Sequence, residues 1–78
     1  MEARDESLLH LGYALDGIGL DEKLLIRDRY LERAFGGTNA GAIAEAKLFA
    51  IAHGCTFTYN RVRRHGSFTR TFPARGRA

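Results

Sequence analysis

The sequence predicts an α+β fold, in which three N-terminal helices are followed by a C-terminal antiparallel β-hairpin packed on the third helix. Two observations support this prediction. Apolar residues recur at helical spacing in three segments before His53, and at Cys55 the period changes to two. A chain of 78 residues is expected to form one domain over residues 1–78, with residues 1–6 and 74–78 frayed.

The first two predicted helices each carry an apolar stripe. In the first helix, the apolar residues at helical spacing are Leu8, Leu11, Leu15 and Ile18. Gly17 and Gly19 are expected to end this helix. The second helix is predicted over Glu22–Phe35, with Asp21 as its N-cap and Gly36-Gly37 as its stop.

The third predicted helix, Ala42–His53, is apolar nearly all round and is therefore expected to be the central helix. Thr38 or Asn39 can cap its N-terminus. Its many alanines would let other backbone segments approach closely. Gly54 suits the left-handed conformation just past the end of a helix.

The hairpin is predicted to turn at His65-Gly66, because glycine accepts the positive φ that a two-residue turn requires. This turn fixes a register with three notable pairs across the strands: Arg61 with Arg70, Arg63 with Phe68, and Tyr59 with Phe72. The opposite face is rich in threonine and is expected to be solvated or to form an interface. Both edges of the hairpin are open, so both a monomer and a homodimer are compatible with it.

Charge is distributed unevenly along the chain, whose formal net charge is +3. Residues 1–22 carry six acidic side chains and one arginine, whereas residues 51–78 carry six arginines and no acid. Charge separated in this way predicts a basic C-terminal surface that binds an anionic partner.

The candidate partner-binding residues all lie on the predicted hairpin: Tyr59, Arg61, Arg63, Arg64, Phe68 and Arg70. Like charges directly opposite each other destabilise a sheet, and a phosphate or carboxylate between Arg61 and Arg70 would reverse that effect. Arg63 could stack on Phe68 as a cation–π pair. The alternative is a solvated, arginine-rich loop that protects a sheet edge from aggregation.

Other patterns predict no catalytic residue, cofactor or metal. Gly36–Gly41 precedes a helix but lacks the Lys-Ser/Thr pair of a P-loop, so an ordinary turn is expected. His53 and Cys55 do not match the spacing of a zinc site, and Cys55 is expected to be a core residue. No apolar run approaches the roughly 18 residues of a membrane helix, which favours a soluble cytoplasmic protein.

A helix-turn-helix is an alternative for the same region. Ala50 and Gly54, followed by Cys55-Thr56, match part of the pattern of that motif. Residues 56–65 would then form a basic recognition helix. Strand is favoured instead, because Thr56-Phe57-Thr58-Tyr59 consists of residues with high strand propensity.

The stretch Ala44-Glu45-Ala46-Lys47-Leu48-Phe49-Ala50, followed by Gly54-Cys55 and an alternating strand, resembles the helix-to-strand joint of some small phage-encoded anti-CRISPR proteins. The resemblance covers residues 40–64. It implies an inhibitor, acting in the cytoplasm of a bacterial host, that docks on a type I CRISPR-Cas surveillance complex and prevents target DNA binding or nuclease recruitment. No site residues can be transferred, because the group shares no common motif. The alternative function is a small DNA-binding protein, helix-turn-helix-like or of a nucleoid or regulatory type, that contacts phosphates through the same arginines.

Overall fold

A computed structural model describes residues 3–72 of the chain. These residues form six elements in the order α1 (Ala3–Gly17), β1 (Lys23–Arg27), α2 (Asp28–Phe35), α3 (Ala40–Ala52), β2 (Cys55–Asn60) and β3 (His65–Arg70). The strands within this range form one antiparallel sheet in the order β1-β3-β2. The predicted order of three helices followed by a hairpin is therefore wrong, because a strand lies between the first two helices. Residues 3–6 belong to α1, whereas residues 1–2 and 74–78, where fraying was also predicted, lie outside the described range.

The first half of the predicted second helix, Glu22–Phe35, is the edge strand β1. Its side chains alternate: Ile26 is buried and Leu24 is partly buried, whereas Leu25 is exposed. The helix begins only at Asp28. The sequence of β1 also suits a helix, so the choice between the two is made by pairing with β3, a tertiary interaction that overrides local propensity.

The predicted N-cap of the second helix, Asp21, is wrong, because α2 begins at Asp28, but three other predicted helix ends are confirmed. Gly36 ends α2 in the left-handed region, at φ 85°, and its N–H donates to the carbonyl oxygen of Glu32 at 3.0 Å. Asn39 caps α3, because its Oδ1 accepts the N–H of Ala42 at 2.9 Å. Gly54 also has a positive φ, 72°, where the chain leaves α3 for β2. Each of these caps depends on the residue type at one position, so it can be predicted from the sequence alone.

Helix α3 is not the central helix that was expected. It buries a stripe of small side chains, Ala42, Ala46 and Ala50, and it contacts β2 and α2 through a single side. Leu48 and Ile51 remain 68% and 67% exposed. The alanines allow close approach, as predicted, whereas the larger side chains of Ile43 and Phe49 pack at the margin of the core.

The hairpin forms, but residues 61–64 connect its strands and His65-Gly66 lies within β3. Gly66 pairs with Tyr59, and a Cβ atom at Gly66 would lie 2.4 Å from the Phe57 ring. Gly66 is therefore required for packing rather than for a turn. Arg64 adopts the positive φ of the turn instead, at 59°. The alternative recognition helix over residues 56–65 is also wrong, because strand and turn occupy this segment.

The hydrophobic core lies between the helices and one face of the sheet. The largest fully buried side chains are Phe68, Leu11, Leu15, Leu31 and Cys55, which confirms the prediction that Cys55 is a core residue. Thr56 and Thr58 on the other face of the sheet are exposed, as expected for the threonine-rich face. The helices therefore leave that face of the sheet accessible at these positions.

A Gly66→Ala substitution is expected to lower the free energy of unfolding by about 1–3 kcal/mol, because the added methyl group overlaps the Phe57 ring. Urea unfolding followed by circular dichroism measures this effect. Gly17→Ala is the control, because a Cβ atom there meets nothing within 4 Å. A double variant that also carries Phe57→Leu should recover part of the loss, since the two positions are in contact. Equal stability of the Gly66 and Gly17 variants would contradict the packing role.

Candidate anion-binding face

Arg70 lies in the core, although it was predicted to be an exposed partner-binding residue. It is 2% exposed and pairs with Cys55 rather than Arg61. Its Nη1 donates to the carbonyl oxygen of Phe72 at 3.0 Å, and its Nη2 donates to that of Leu15. Leu15 belongs to the last turn of α1, where carbonyl oxygens lack helical partners and carry partial negative charge. Arg70 therefore joins the sheet to α1 and is not available to a partner.

Phe68 is also buried, with 0% of its surface exposed. It pairs with Phe57, and the two ring centroids lie 4.7 Å apart. The predicted pairs Arg63–Phe68 and Arg61–Arg70 are both wrong, and both errors have one cause. The turn lies earlier in the chain than predicted, at residues 61–64, and this changes the register, so that Arg61 and Arg63 lie in the turn and have no partner across the strands.

The turn at residues 61–64 carries the exposed arginines of the predicted site. Asn60 closes this turn, because its carbonyl oxygen accepts the N–H of Arg64 at 2.8 Å and its Oδ1 accepts the N–H of Arg63 at 2.9 Å. The guanidinium carbon of Arg61 lies 5.9 Å from the centroid of the Tyr59 ring, at cation–π distance. Of the six predicted site residues, these three arginines and Tyr59 are therefore the ones found together near the surface.

Asp28 connects the turn to the start of α2. Its Oδ1 accepts the hydroxyl of Tyr59 at 2.8 Å, and its Oδ2 accepts Nε of Arg64 at 3.3 Å. The hydrogen bond to Asp28, followed by desolvation, raises the pKa of Tyr59, so the phenol stays a neutral donor at physiological pH. A carboxylate in the first turn of a helix also interacts favourably with the helix dipole. The position of Arg64 is therefore set by α2 as well as by the hairpin.

An open groove of about 630 Å³ lies between β1, α2 and the turn. The residues that line it are Leu25, Ile26, Arg27, Asp28, Arg29, Tyr30, Arg33 and Arg64, and we call this surface the basic groove. Four arginines and one carboxylate among these residues leave a formal charge of +3. The basic groove and the turn at residues 61–64 together form what we call the basic face.

Three arginines of the basic groove, Arg27, Arg29 and Arg33, were not predicted as site residues. All three lie within the longer second helix that was predicted over Glu22–Phe35. The spacing of four residues between Arg29 and Arg33 does put them on one side of a helix, which is the signal that was available. Arg27 joins them because it ends β1 directly before α2 begins. Tyr30 also lines the groove, and its hydroxyl donates to the carbonyl oxygen of Ser7 at 2.7 Å.

A second pair of titratable side chains joins α1 to the end of α3. Nδ1 of His53 lies 3.0 Å from Oδ1 of Asp16.

Burial raises the pKa of the Cys55 thiol, which makes it a poor nucleophile. Within residues 3–72 no group of three or more His, Cys, Asp or Glu side chains could hold a metal ion. Nor does this part of the chain contain a helix of the length and apolar character that crossing a membrane requires.

No protein-family model, curated protein or solved structure matches this chain. The resemblance to anti-CRISPR proteins over residues 40–64 therefore stays a prediction from the sequence.

Proposed function

We propose that the chain is a non-catalytic binding protein that docks through its basic face on an acidic surface of a protein partner. The observation that best supports this proposal is that four exposed arginines from β1, α2 and the turn line one groove, and that the same turn carries two more. They are Arg27, Arg29, Arg33, Arg61, Arg63 and Arg64. Guanidinium groups bind carboxylates in a bidentate manner, which gives both affinity and geometric specificity.

Exposed apolar side chains on the same face favour a protein partner. Leu25, in the wall of the basic groove, is 63% exposed, and Val62, between two arginines of the turn, is 92% exposed. Arginine together with apolar side chains is typical of protein–protein interfaces, whereas a surface that binds phosphates alone has no use for Leu25 or Val62.

The specific partner that we propose is a type I CRISPR-Cas surveillance complex, on the basis of the sequence resemblance over residues 40–64. Docking would then prevent target DNA binding or nuclease recruitment. This part of the proposal depends on the resemblance, whereas the choice of surface depends on the arginines of the basic face.

Nucleic acid is the second candidate partner, and the arrangement of the arginines on α2 favours it. Arg29 and Arg33 lie one helical turn apart beside Arg27 and Arg64 in the same groove. Several guanidinium groups in one groove could neutralise neighbouring phosphates, and such binding weakens steeply as salt is raised. Any such protein would bind through a groove and a turn, because the recognition helix of a helix-turn-helix is not formed.

The test uses Arg29→Glu, Arg33→Glu and the double variant. Both side chains are exposed, so the fold should be retained. Binding to a purified type I surveillance complex is measured by co-purification and biolayer interferometry, together with target DNA binding by the complex. We expect each single variant to weaken docking at least tenfold, on the order of 1.4 kcal/mol. Leu48→Glu is the control, because it also introduces a glutamate at an exposed position, on the side of α3 next to Leu8 and Phe35, where no residue of the basic face lies.

A parallel titration with duplex DNA at low and moderate salt separates the two candidates. The nucleic-acid function would be supported if the chain binds DNA in a salt-sensitive manner, both arginine variants lose this binding, and the chain does not bind the surveillance complex. Binding to neither partner, or arginine variants that behave like Leu48→Glu, would contradict both functions.

A further inference from the structure

The outer edge of β1 is open within the described residues. β1 lies at the end of the sheet order and pairs only with β3 in this part of the chain. In an antiparallel ladder, alternate residues direct their N–H and C=O groups to opposite edges, so part of the β1 backbone faces outward. β1 also supplies one wall of the basic groove, through Leu25, Ile26 and Arg27.

The exposed side chains of β1 alternate in a pattern of cation, apolar residue and cation. Lys23, Leu25 and Arg27 are all exposed and share one face of the strand, because side chains two residues apart point the same way. Charged side chains commonly protect an edge strand from unwanted pairing. Here the two cations flank Leu25, which is 63% exposed. An exposed apolar side chain between two cations favours pairing with a strand that complements both.

A second copy of this chain does not suit this edge. Antiparallel pairing of two β1 strands centred on Leu25 would place Lys23 opposite Arg27 at both ends. Parallel pairing in register would place each cation opposite itself. Like charges directly opposite each other destabilise a sheet, and an acidic strand reverses both interactions.

We infer that an acidic, extended segment of the partner adds to β1 as a fourth strand of the sheet. Its carboxylates lie opposite Lys23 and Arg27, and an apolar side chain lies opposite Leu25. Main-chain hydrogen bonds along the edge supply affinity, and the alternating side chains supply specificity. This inference rests on the proposed function, because the adjoining basic groove receives further carboxylates of the same partner.

The test uses a blocked peptide with the central sequence Glu-Thr-Val-Thr-Glu and the full-length chain labelled with ¹⁵N. Amide chemical shifts and hydrogen exchange are followed at peptide concentrations up to about 1 mM. We expect exchange of the outward amides in residues 23–27 to slow at least tenfold on peptide binding. A peptide with lysine in place of both glutamates is expected not to bind, because it places like charges opposite Lys23 and Arg27.

Two N-methylated versions of the acidic peptide separate strand addition from attraction between charges. Each carries methyl groups on one of the two alternating sets of backbone nitrogens, and both keep the charge of the parent peptide. We expect one version to lose binding, since its methyl groups face β1, and the other to retain it. Equal binding of both versions without protection of β1 overturns strand addition but leaves docking through the basic face intact. Absence of binding by the parent peptide also overturns it, as does protection of β1 by self-association of the chain. Failure of the proposed function is seen separately, in the Arg29 and Arg33 variants.

Discussion

A Phe68→Ala substitution is expected to lower the free energy of unfolding by about 3–5 kcal/mol. Phe68 is fully buried on the central strand of the sheet, against the ring of Phe57. Truncation to alanine removes the apolar surface of the ring and leaves a cavity between the sheet and the helices. A domain of this size has a total stability of only a few kcal/mol, so the variant is expected to be largely unfolded.

Urea unfolding followed by circular dichroism checks this expectation. Val62→Ala is the matched control, because Val62 is 92% exposed and its truncation should change stability by less than about 0.5 kcal/mol. The comparison also distinguishes the two registers of the hairpin. With a turn at His65-Gly66, Phe68 would lie opposite Arg63 on the exposed part of the hairpin, and the two variants would have similar stability. An unfolding midpoint for Phe68→Ala that matches wild type would contradict the register described above.

The sequence was sufficient to predict features that depend on a few neighbouring residues. Gly36 and Gly54 were predicted to end helices because only glycine adopts positive φ without cost, and both do so. Thr38 or Asn39 was predicted as a cap because either side chain can accept an N–H of the first helical turn, and Asn39 accepts that of Ala42. The change of period at Cys55 correctly predicted a strand.

The features that the sequence did not predict depend on residues far apart in the chain. The segment Lys23–Arg27 has the composition of a helix or of a strand, and its pairing with residues 65–69 decides between the two. Gly66 has the same appearance in the sequence whether it makes a turn or accommodates a ring. The Phe57 ring that requires glycine at this position lies nine residues earlier on the neighbouring strand.

In the candidate site, too, the sequence predicted what depends on neighbouring residues and did not predict what depends on distant ones. Arg61, Arg63 and Arg64 were predicted as exposed residues of a basic hairpin, and they are exposed, although they lie in its turn and not on its strands. Arg27, Arg29 and Arg33 lie about 30 residues earlier and join Arg64 through the contact between β1, α2 and the turn. The count of charges along the chain identified the C-terminal end as basic. The basic face, however, is formed by arginines from both halves of the chain.

Replacing Arg70 with methionine is expected to lower the free energy of unfolding by about 2–4 kcal/mol, although the substitution removes a buried charge. Two effects oppose each other. Burial of a guanidinium is unfavourable, and its Nε has no hydrogen-bond partner among the described residues. Methionine fills a similar volume but leaves the buried carbonyl oxygen of Leu15 without this donor, at about 1–3 kcal/mol, and also removes the partly buried hydrogen bond to the carbonyl oxygen of Phe72. The last turn of α1 contains no basic residue, so Arg70 also supplies the positive charge that favours this helix end.

The variant Arg70→Lys separates the charge from the hydrogen bonds. Lysine keeps the positive charge near the end of α1, but its single ammonium group cannot reproduce the fixed fork with which arginine reaches two carbonyl oxygens. We therefore expect stability to decrease in the order wild type, lysine variant, methionine variant, as measured by urea unfolding. Hydrogen exchange of the α1 amides should accelerate in the same order, because the contact being lost holds this helix to the sheet. A methionine variant that is as stable as wild type would show that the cost of desolvating the guanidinium fully offsets its two hydrogen bonds. In that case, packing of buried side chains such as Leu11 and Leu15 would be sufficient to hold α1 in place.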